Sequence, residues 1–198
     1  MVGGKRETQL ALANLGCIAV HAWSSCASAP HKPDWMCFDM DPESGQFGDA
    51  AKAGLLARQA LDRLDLLSYP KTSGVEEMHV FVPISVGPDA DEVLAFAQMV
   101  CRRLAEAHPG ALTVEARIAK RRGRVYLDAG RNGFAQTVVM PYSVRALPHA
   151  PVSTALDWAE VRPSLDPTKF RLGNFQWRLE KGDPWANFWK QRQPLPSL

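Results

Sequence analysis

Several features are missing from this sequence, and each omission narrows the reading. No apolar run in the 198 residues approaches the roughly 20 that a membrane-spanning helix needs. The opening MVGGKRETQ has no apolar core of the kind a secretory signal carries, so a cytosolic protein without membrane contact is expected. The four cysteines, Cys17, Cys26, Cys37 and Cys101, form no CxxC pair. With His21 and His31 the first three can be drawn as a zinc site, but their spacing fits no common knuckle. Reduced, mostly buried thiols are the expectation. Charge of one sign is not in excess either: the net value is +2, so contact with nucleic acid needs a local patch. Internal repeats and low-complexity linkers are absent, which excludes solenoids and leaves one domain over residues 1–198. Hydrophobic residues at 46% and charged residues at 22% give that domain enough material for a full core.

What the sequence does have is organised around Trp35–Pro42, which reads WMCFDMDP. Run as a strand, its period of two puts Met36, Phe38 and Met40 on one face and Cys37, Asp39 and Asp41 on the other. The first set suits a core. The second ends in two carboxylates, with Pro42 and Gly45 closing the strand. Either these acids are solvated at a strand end or a divalent cation sits between them.

Helical spacing marks residues 7–15, with Leu10, Leu12 and Leu15 apolar and Gly16 at the C-terminal cap, and residues 47–67, striped by Ala51, Leu55, Ala60, Leu61, Leu64 and Leu67. A third helix over 89–108 is opened by Asp89, Asp91 and Glu92, which suit its N-terminal dipole. A short helix is expected at 185–192. Strands are predicted at 18–21, 78–84, 112–117, 125–128 and 137–140. In the second of these Met78, Val80, Val82 and Ile84 share a face, and His79 and Phe81 share the other. Helices and strands mix without long blocks, which predicts an α+β (mixed α/β) fold with β-sheets packed against helices.

Three carboxylates, Asp39, Asp41 and Asp128, lie at the C-terminal ends of predicted strands, where ligand sites of α/β sheets collect. Converging acids of this kind hold two hard cations in phosphoryl transfer; Asp128, two residues before Gly130, also reads simply as a turn aspartate. His79 lies off its strand's apolar stripe and is either structural or functional. Ser73-Gly74 forms a turn whose backbone N–H groups are able to meet phosphate oxygens, or a turn with no such role. The run ARIAKRRGR (116–124) sets Arg117, Lys120, Arg121, Arg122 and Arg124 directly before the strand of Asp128, as a solvated loop or as a contact for a polyanion. Arg145, in PYSVR, is the best single candidate for a fixed phosphate contact.

FDMDP, then PKTSG followed by the strand histidine of MHVFVP, then GRVYLD with RNG, PYSVRALP with APVST, and GDPWA occur in this order. The series closely resembles the polymerase domain of bacterial DNA ligase D, a branch of the archaeo-eukaryotic primase superfamily, over residues 8–190. The resemblance implies a primase-like catalytic core in which Asp39, Asp41 and Asp128 bind two divalent cations, Mn2+ or Mg2+. It implies that Ser73, His79, Ser143 and Arg145 contact the nucleotide's phosphates and that His21 belongs to the nucleotide pocket. The basic residues Lys120, Arg121, Arg122 and Arg124 then become candidates for DNA contact. The implied activity is nucleotidyl transfer: NTPs or dNTPs, often ribonucleotides, added to DNA ends or gaps in non-homologous end joining. The implied partners are gapped DNA or DNA ends, a Ku-type end-binding protein and a DNA ligase, in the bacterial cytosol or nucleoid.

Departures from the family pattern are local. The motif Ser-Gly-x-Lys-Gly-x-His reads here Ser73-Gly74-Val75-Glu76-Glu77-Met78-His79. With Glu76 in the lysine's place, an attraction for phosphate becomes a repulsion. Ile118 stands where an upstream lysine is expected. Family members also carry an N-terminal segment, with aromatic and basic residues for template DNA and a 5′-phosphate, before the point where this sequence starts. These departures motivate an alternative reading, a catalytically weakened nucleotide- and DNA-binding accessory module of end joining.

Overall fold

The computed structural model describes residues 3–196. Its centre is a five-stranded sheet built from β2 (Trp35–Pro42), β3 (Tyr69–Thr72), β4 (Met78–Pro83), β5 (Leu112–Thr113) and β6 (Val125–Asp128). The order is β3-β4-β2-β6-β5, and only the β5–β6 pairing is parallel. A separate two-stranded ribbon joins β1 (His21–Ala22) to β7 (Val138–Val139), with His21 opposite Val139. The fold is mixed α/β, as the alternation of patterns predicts.

One face of the sheet is covered by α2 (Phe47–Asp62) and α3 (Ala90–Ala107). Met36, Phe38 and Met40 of β2 and Met78, Val80 and Val82 of β4 all point into this core, as the period of two requires. The helix α2 approaches closely because Gly54 faces the sheet; a Cβ there would meet Met78 Sδ at 2.6 Å. Helix α3 starts at a reciprocal cap, in which Asp89 accepts from the Glu92 N–H and the Glu92 carboxylate accepts from the Asp89 N–H.

The opposite face is divided. Toward one end it is aromatic: Trp35, Cys37 and Phe81 pack with Tyr69, Trp185 and Phe188. Toward the other end it is polar, and that half carries the site described below. A 3-10 turn, Gly130–Asn132, follows β6 directly.

Several boundaries depart from the sequence reading. The apolar spacing of α2 continues to Leu67, yet the helix stops at Asp62, where Asp65 takes a left-handed conformation (φ 54°) and the Leu66 N–H returns to the Leu61 carbonyl. The strand expected over 112–117 shortens to two residues, and the basic run following it forms the short helix α4 (Ile118–Arg121). The strand β3 is missing from the sequence reading because Pro70 interrupts it; an edge position tolerates a residue without an N–H. Helix α1 (Arg6–Asn14) buries nothing, and its Leu10 is exposed. Near the C-terminus the helical turn expected at 185–192 is the single 3-10 turn Phe188–Lys190, and α5 (Gln176–Glu180) lies upstream of it. Of the thiols, Cys37 and Cys101 are buried, but Cys17 and Cys26 are exposed. Among the described residues, no helix is long and apolar enough to cross a membrane.

Candidate catalytic and metal-binding site

Pairing register assembles a transverse row of four side chains. Lys71 of β3 lies opposite His79 of β4, His79 opposite Asp39 of β2, and Asp39 opposite Asp128 of β6. Cross-strand partners share a face, so this row lies on the polar half of the sheet. Asp39 is therefore in mid-strand. The expectation that all three acids lie at C-terminal strand ends holds for Asp128, the last residue of β6, and for Asp41 next to the end of β2, but not for Asp39; β2 and β6 are antiparallel, and Asp128 reaches Asp39 because β6 ends where β2 is still paired.

The acids are held by arginines. Arg131 Nε lies 3.5 Å from Asp39 Oδ2 and 3.4 Å from Asp128 Oδ2, a guanidinium spanning the two carboxylates. Asp128 Oδ1 accepts from the Gly130 N–H at 2.7 Å. Asp41 Oδ2 accepts from Arg121 Nη1 at 2.7 Å, so this third carboxylate is held by its own arginine rather than by Arg131. Asn132, completely buried, completes the frame. Its side-chain amide accepts from the Cys37 N–H and donates to the Cys37 carbonyl, each at 2.8 Å, and donates also to the Ala129 carbonyl. In effect the amide stands in for the strand partner that β2 loses where β6 ends.

The candidate phosphate-binding residues sit around one turn. Ser73 donates its N–H to the Glu77 carbonyl, and its own carbonyl accepts from Arg145 Nη1 at 2.7 Å. Gly74 between them has φ +87°, and a Cβ there would strike Arg145 Cγ at 2.7 Å. Ser143 Oγ accepts from the Val20 N–H at 2.7 Å, tying the segment before β1 to the PYSVR stretch. His21 is largely exposed, but the partial burial of its ring, then the charges of Arg145, Lys71 and Arg131, hold its pKa below the ordinary value. Lys71 and Arg131 also flank the polar row, so His21 lies in the same positive field.

Of the basic run, Lys120 and Arg122 are exposed. Arg121 is turned inward, paired with Asp41 and stacked on the Tyr126 ring at 4.6 Å. Arg124 folds back onto the Arg121 and Lys120 carbonyls.

Sequence reasoning missed three members of this site, Lys71, Arg131 and Asn132, and met Glu77 only as a departure from the family motif. Lys71 lies in a stretch too short and proline-broken to be read as a strand. Its Nζ donates to Ser153 Oγ at 2.6 Å and to the Thr72 carbonyl at 3.2 Å. Burial lowers its pKa to about 7. The unfolded chain keeps the proton up to the ordinary lysine value, so between pH 7 and 9 the unfolded state binds more protons and stability rises with pH. Lys71→Met keeps the volume and removes the titration. The expected result is loss of a rise of about 1 kcal/mol per pH unit over that window, measured by urea unfolding at each pH. A slope identical in both proteins would show that the ammonium is solvated.

The two glutamates of the turn differ. Glu76 lies by Gly74, Val75 and Arg171 in a groove away from the row. Glu77, two residues before His79 and on the same face, points at the carboxylates. Burial, then Asp39 and Asp41, push its pKa up to about 7. The repulsion expected from Glu76 thus arises at Glu77. One donor atom from each of Asp39, Glu77 and His79 lies within 4.8 Å of the others. Among the described residues this is the sole such group, and it includes neither Asp41, Asp128 nor the cysteines.

Residues 1–185 match the family described as LigD, primase-polymerase domain. The multifunctional non-homologous end joining protein LigD of Pseudomonas aeruginosa is 30% identical over 195 residues, covering 96% of this chain and 23% of that protein. The bifunctional non-homologous end joining protein LigD of Bacillus subtilis is 31% identical over 174 residues, with 84% and 28% covered. This chain therefore spans about a quarter of the length of these curated relatives. Among solved structures, the polymerase domain from Mycobacterium tuberculosis ligase D in complex with DNA superposes with a TM-score of 0.79 at 24% identity, covering 91% of this chain and 66% of that one. That likeness establishes the fold.

Proposed function

Because the chain belongs to the LigD primase-polymerase domain family, we propose that it is a metal-dependent nucleotidyltransferase that adds nucleotides, ribonucleotides in particular, to DNA ends or gaps during non-homologous end joining. The observation that carries this reading is the row in which Asp39 faces Asp128 on one side and His79 on the other, beside a turn held by Arg145. The donor chemistry fits hard divalent cations, manganese or magnesium: Asp39 and Asp128 already share a cationic group in Arg131, and Asp39 Oδ1 is buried without a hydrogen-bond partner. Asp39, Asp41 and Asp128 would hold the two cations. Bound there, they supply the positive charge that lowers the pKa of a primer hydroxyl and offsets the charge of the departing pyrophosphate.

The chain's own residues do the rest. Arg145 and the Ser73 turn orient the triphosphate, with Ser143 fixing the segment that carries Arg145 and His21 at the nucleotide's edge. Arg131 and Arg121 keep the carboxylates apart from one another's charge until nucleotide arrives. Lys120 and Arg122, two exposed residues of the basic run, face the DNA backbone. A Ku-type end-binding protein, a ligase and a place in the bacterial cytosol or nucleoid complete the reading.

The test is extension of a gapped, 5′-phosphorylated DNA with NTPs and dNTPs, in manganese and in magnesium. Extension by one or more nucleotides is expected, most readily with ribonucleotides. A second reading, an accessory module that binds nucleotide without turning it over, draws support from Glu77, whose carboxylate occupies the side of the row where phosphates would bind. Metal-dependent nucleotide binding with no extension under any condition would select that module and sink the polymerase.

A further inference from the structure

Glu77 reaches the polar row through local geometry. The Ser73 N–H to Glu77 carbonyl bond closes a five-residue loop, and β4 begins at the next residue. Residues 77 and 79 then share a face, which sets the Glu77 carboxylate beside the His79 imidazole. His79 Nε2 lies 3.3 Å from Asp39 Oδ1 and 4.0 Å from Glu77 Oε2. Donor atoms held about 2.1 Å from one ion sit roughly 3.0 Å apart at right angles and about 3.4 Å apart in a tetrahedron. The two spacings from His79 are within about an ångström of that arrangement, and all three donors lie within 4.8 Å of one another.

The burial pattern points to a missing partner. His79 is 2% exposed and Asp39 4%, and neither His79 Nε2 nor Asp39 Oδ1 makes a hydrogen bond. Buried polar atoms are almost always paired, so two orphaned atoms facing one another at 3.3 Å mark a place for a third party. The nearby cations are engaged elsewhere. Arg131 lies against the other Asp39 oxygen, Arg145 donates to the Ser73 carbonyl and Lys71 to Ser153. Glu77 keeps a third of its side chain exposed, which leaves a way in from solvent.

We propose that Asp39, Glu77 and His79 form a second divalent-cation site, sharing only Asp39 with the set made by Asp39, Asp41 and Asp128, and that this site prefers a first-row transition cation to magnesium. Two carboxylates neutralise a divalent charge. The imidazole supplies the nitrogen donor that manganese, cobalt and zinc accept and magnesium disfavours. Asp39 joins the two sets by turning Oδ1 toward His79 and Oδ2 toward Arg131, which also meets Asp128. Three protein donors leave coordination positions open for water or a phosphate oxygen. The site does not depend on whether the chain extends primers.

The experiment uses the full chain with neither nucleotide nor DNA. Mn2+ is titrated by electron paramagnetic resonance, and the bound fraction is examined for nitrogen hyperfine coupling. A bound ion coupled to one imidazole nitrogen is expected, with magnesium displacing it only at about a hundredfold higher concentration. Glu77→Gln weakens binding about tenfold or more, and His79→Gln removes the nitrogen coupling. Asp128→Asn retains both the ion and the coupling while losing primer extension, which separates this site from the polymerase reading. Wild-type affinity in Glu77→Gln, or bound manganese without nitrogen coupling in the parent chain, would overturn the proposal. Circular dichroism of each variant confirms that it is folded.

Discussion

Asp39→Asn is expected to lower primer extension about a thousandfold or more, equivalent to roughly 4 kcal/mol of barrier. Asp39 is the one carboxylate in the row with an acid on one flank and an imidazole on the other, and its two oxygens meet His79 and Arg131. Asparagine keeps the shape and the strand pairing and removes only the charge. Arg131 still has Asp128 as partner, so the substitution strands no cation. The fold should therefore survive, and thermal melting followed by circular dichroism checks this alongside extension assays in manganese and magnesium. Wild-type extension by a folded Asp39→Asn protein would remove the basis for placing cations at this row.

The second large effect is on stability. Asn132→Ala deprives the Cys37 N–H and carbonyl of their partners at a fully buried point of β2 and frees the turn that carries Arg131. Each buried backbone group left unsatisfied costs about 1–3 kcal/mol, so a loss of roughly 2–6 kcal/mol is expected in chemical denaturation. Extension should fall with it, because Asp128 and Arg131 lie immediately before the loosened residue. A loss under about 1 kcal/mol would mean that the Cys37 backbone finds another partner, with the amide contributing little to the frame.

These two residues differ in how visible they are beforehand. Asp39 stands in WMCFDMDP, where alternation alone assigns the faces and where two acids on one side attract attention. Asn132 sits in an RNG turn that reads as punctuation. Its value appears only when β6 ends opposite Asp39 and leaves Cys37 two residues short of a strand partner. Arg121 was equally hidden: within a basic run it reads as solvated, yet it lies buried between Asp41 and Tyr126. Lys71 was lost with its strand, since Pro70 removes the pattern by which a four-residue edge strand would be noticed.

What the sequence by itself determined was whatever depends on covalent geometry over a few residues. The apolar and acidic faces of β2, the opposite faces of Met78 and His79, the capped start of α3 and the ordered motifs of the family all follow from periods of 2 and 3.6 residues and from local caps. Only the tertiary structure decided register. An antiparallel pairing sets Asp128 against Asp39, a left-handed glycine at residue 74 turns Glu77 rather than Glu76 into the row, and a neighbouring helix turn withdraws Arg121 from solvent. The facing of Asp128 to Asp39 and the pairing of Arg121 with Asp41 rest on contacts between segments tens of residues apart, and a one-residue slip of β6 would turn Asp128 to the other face.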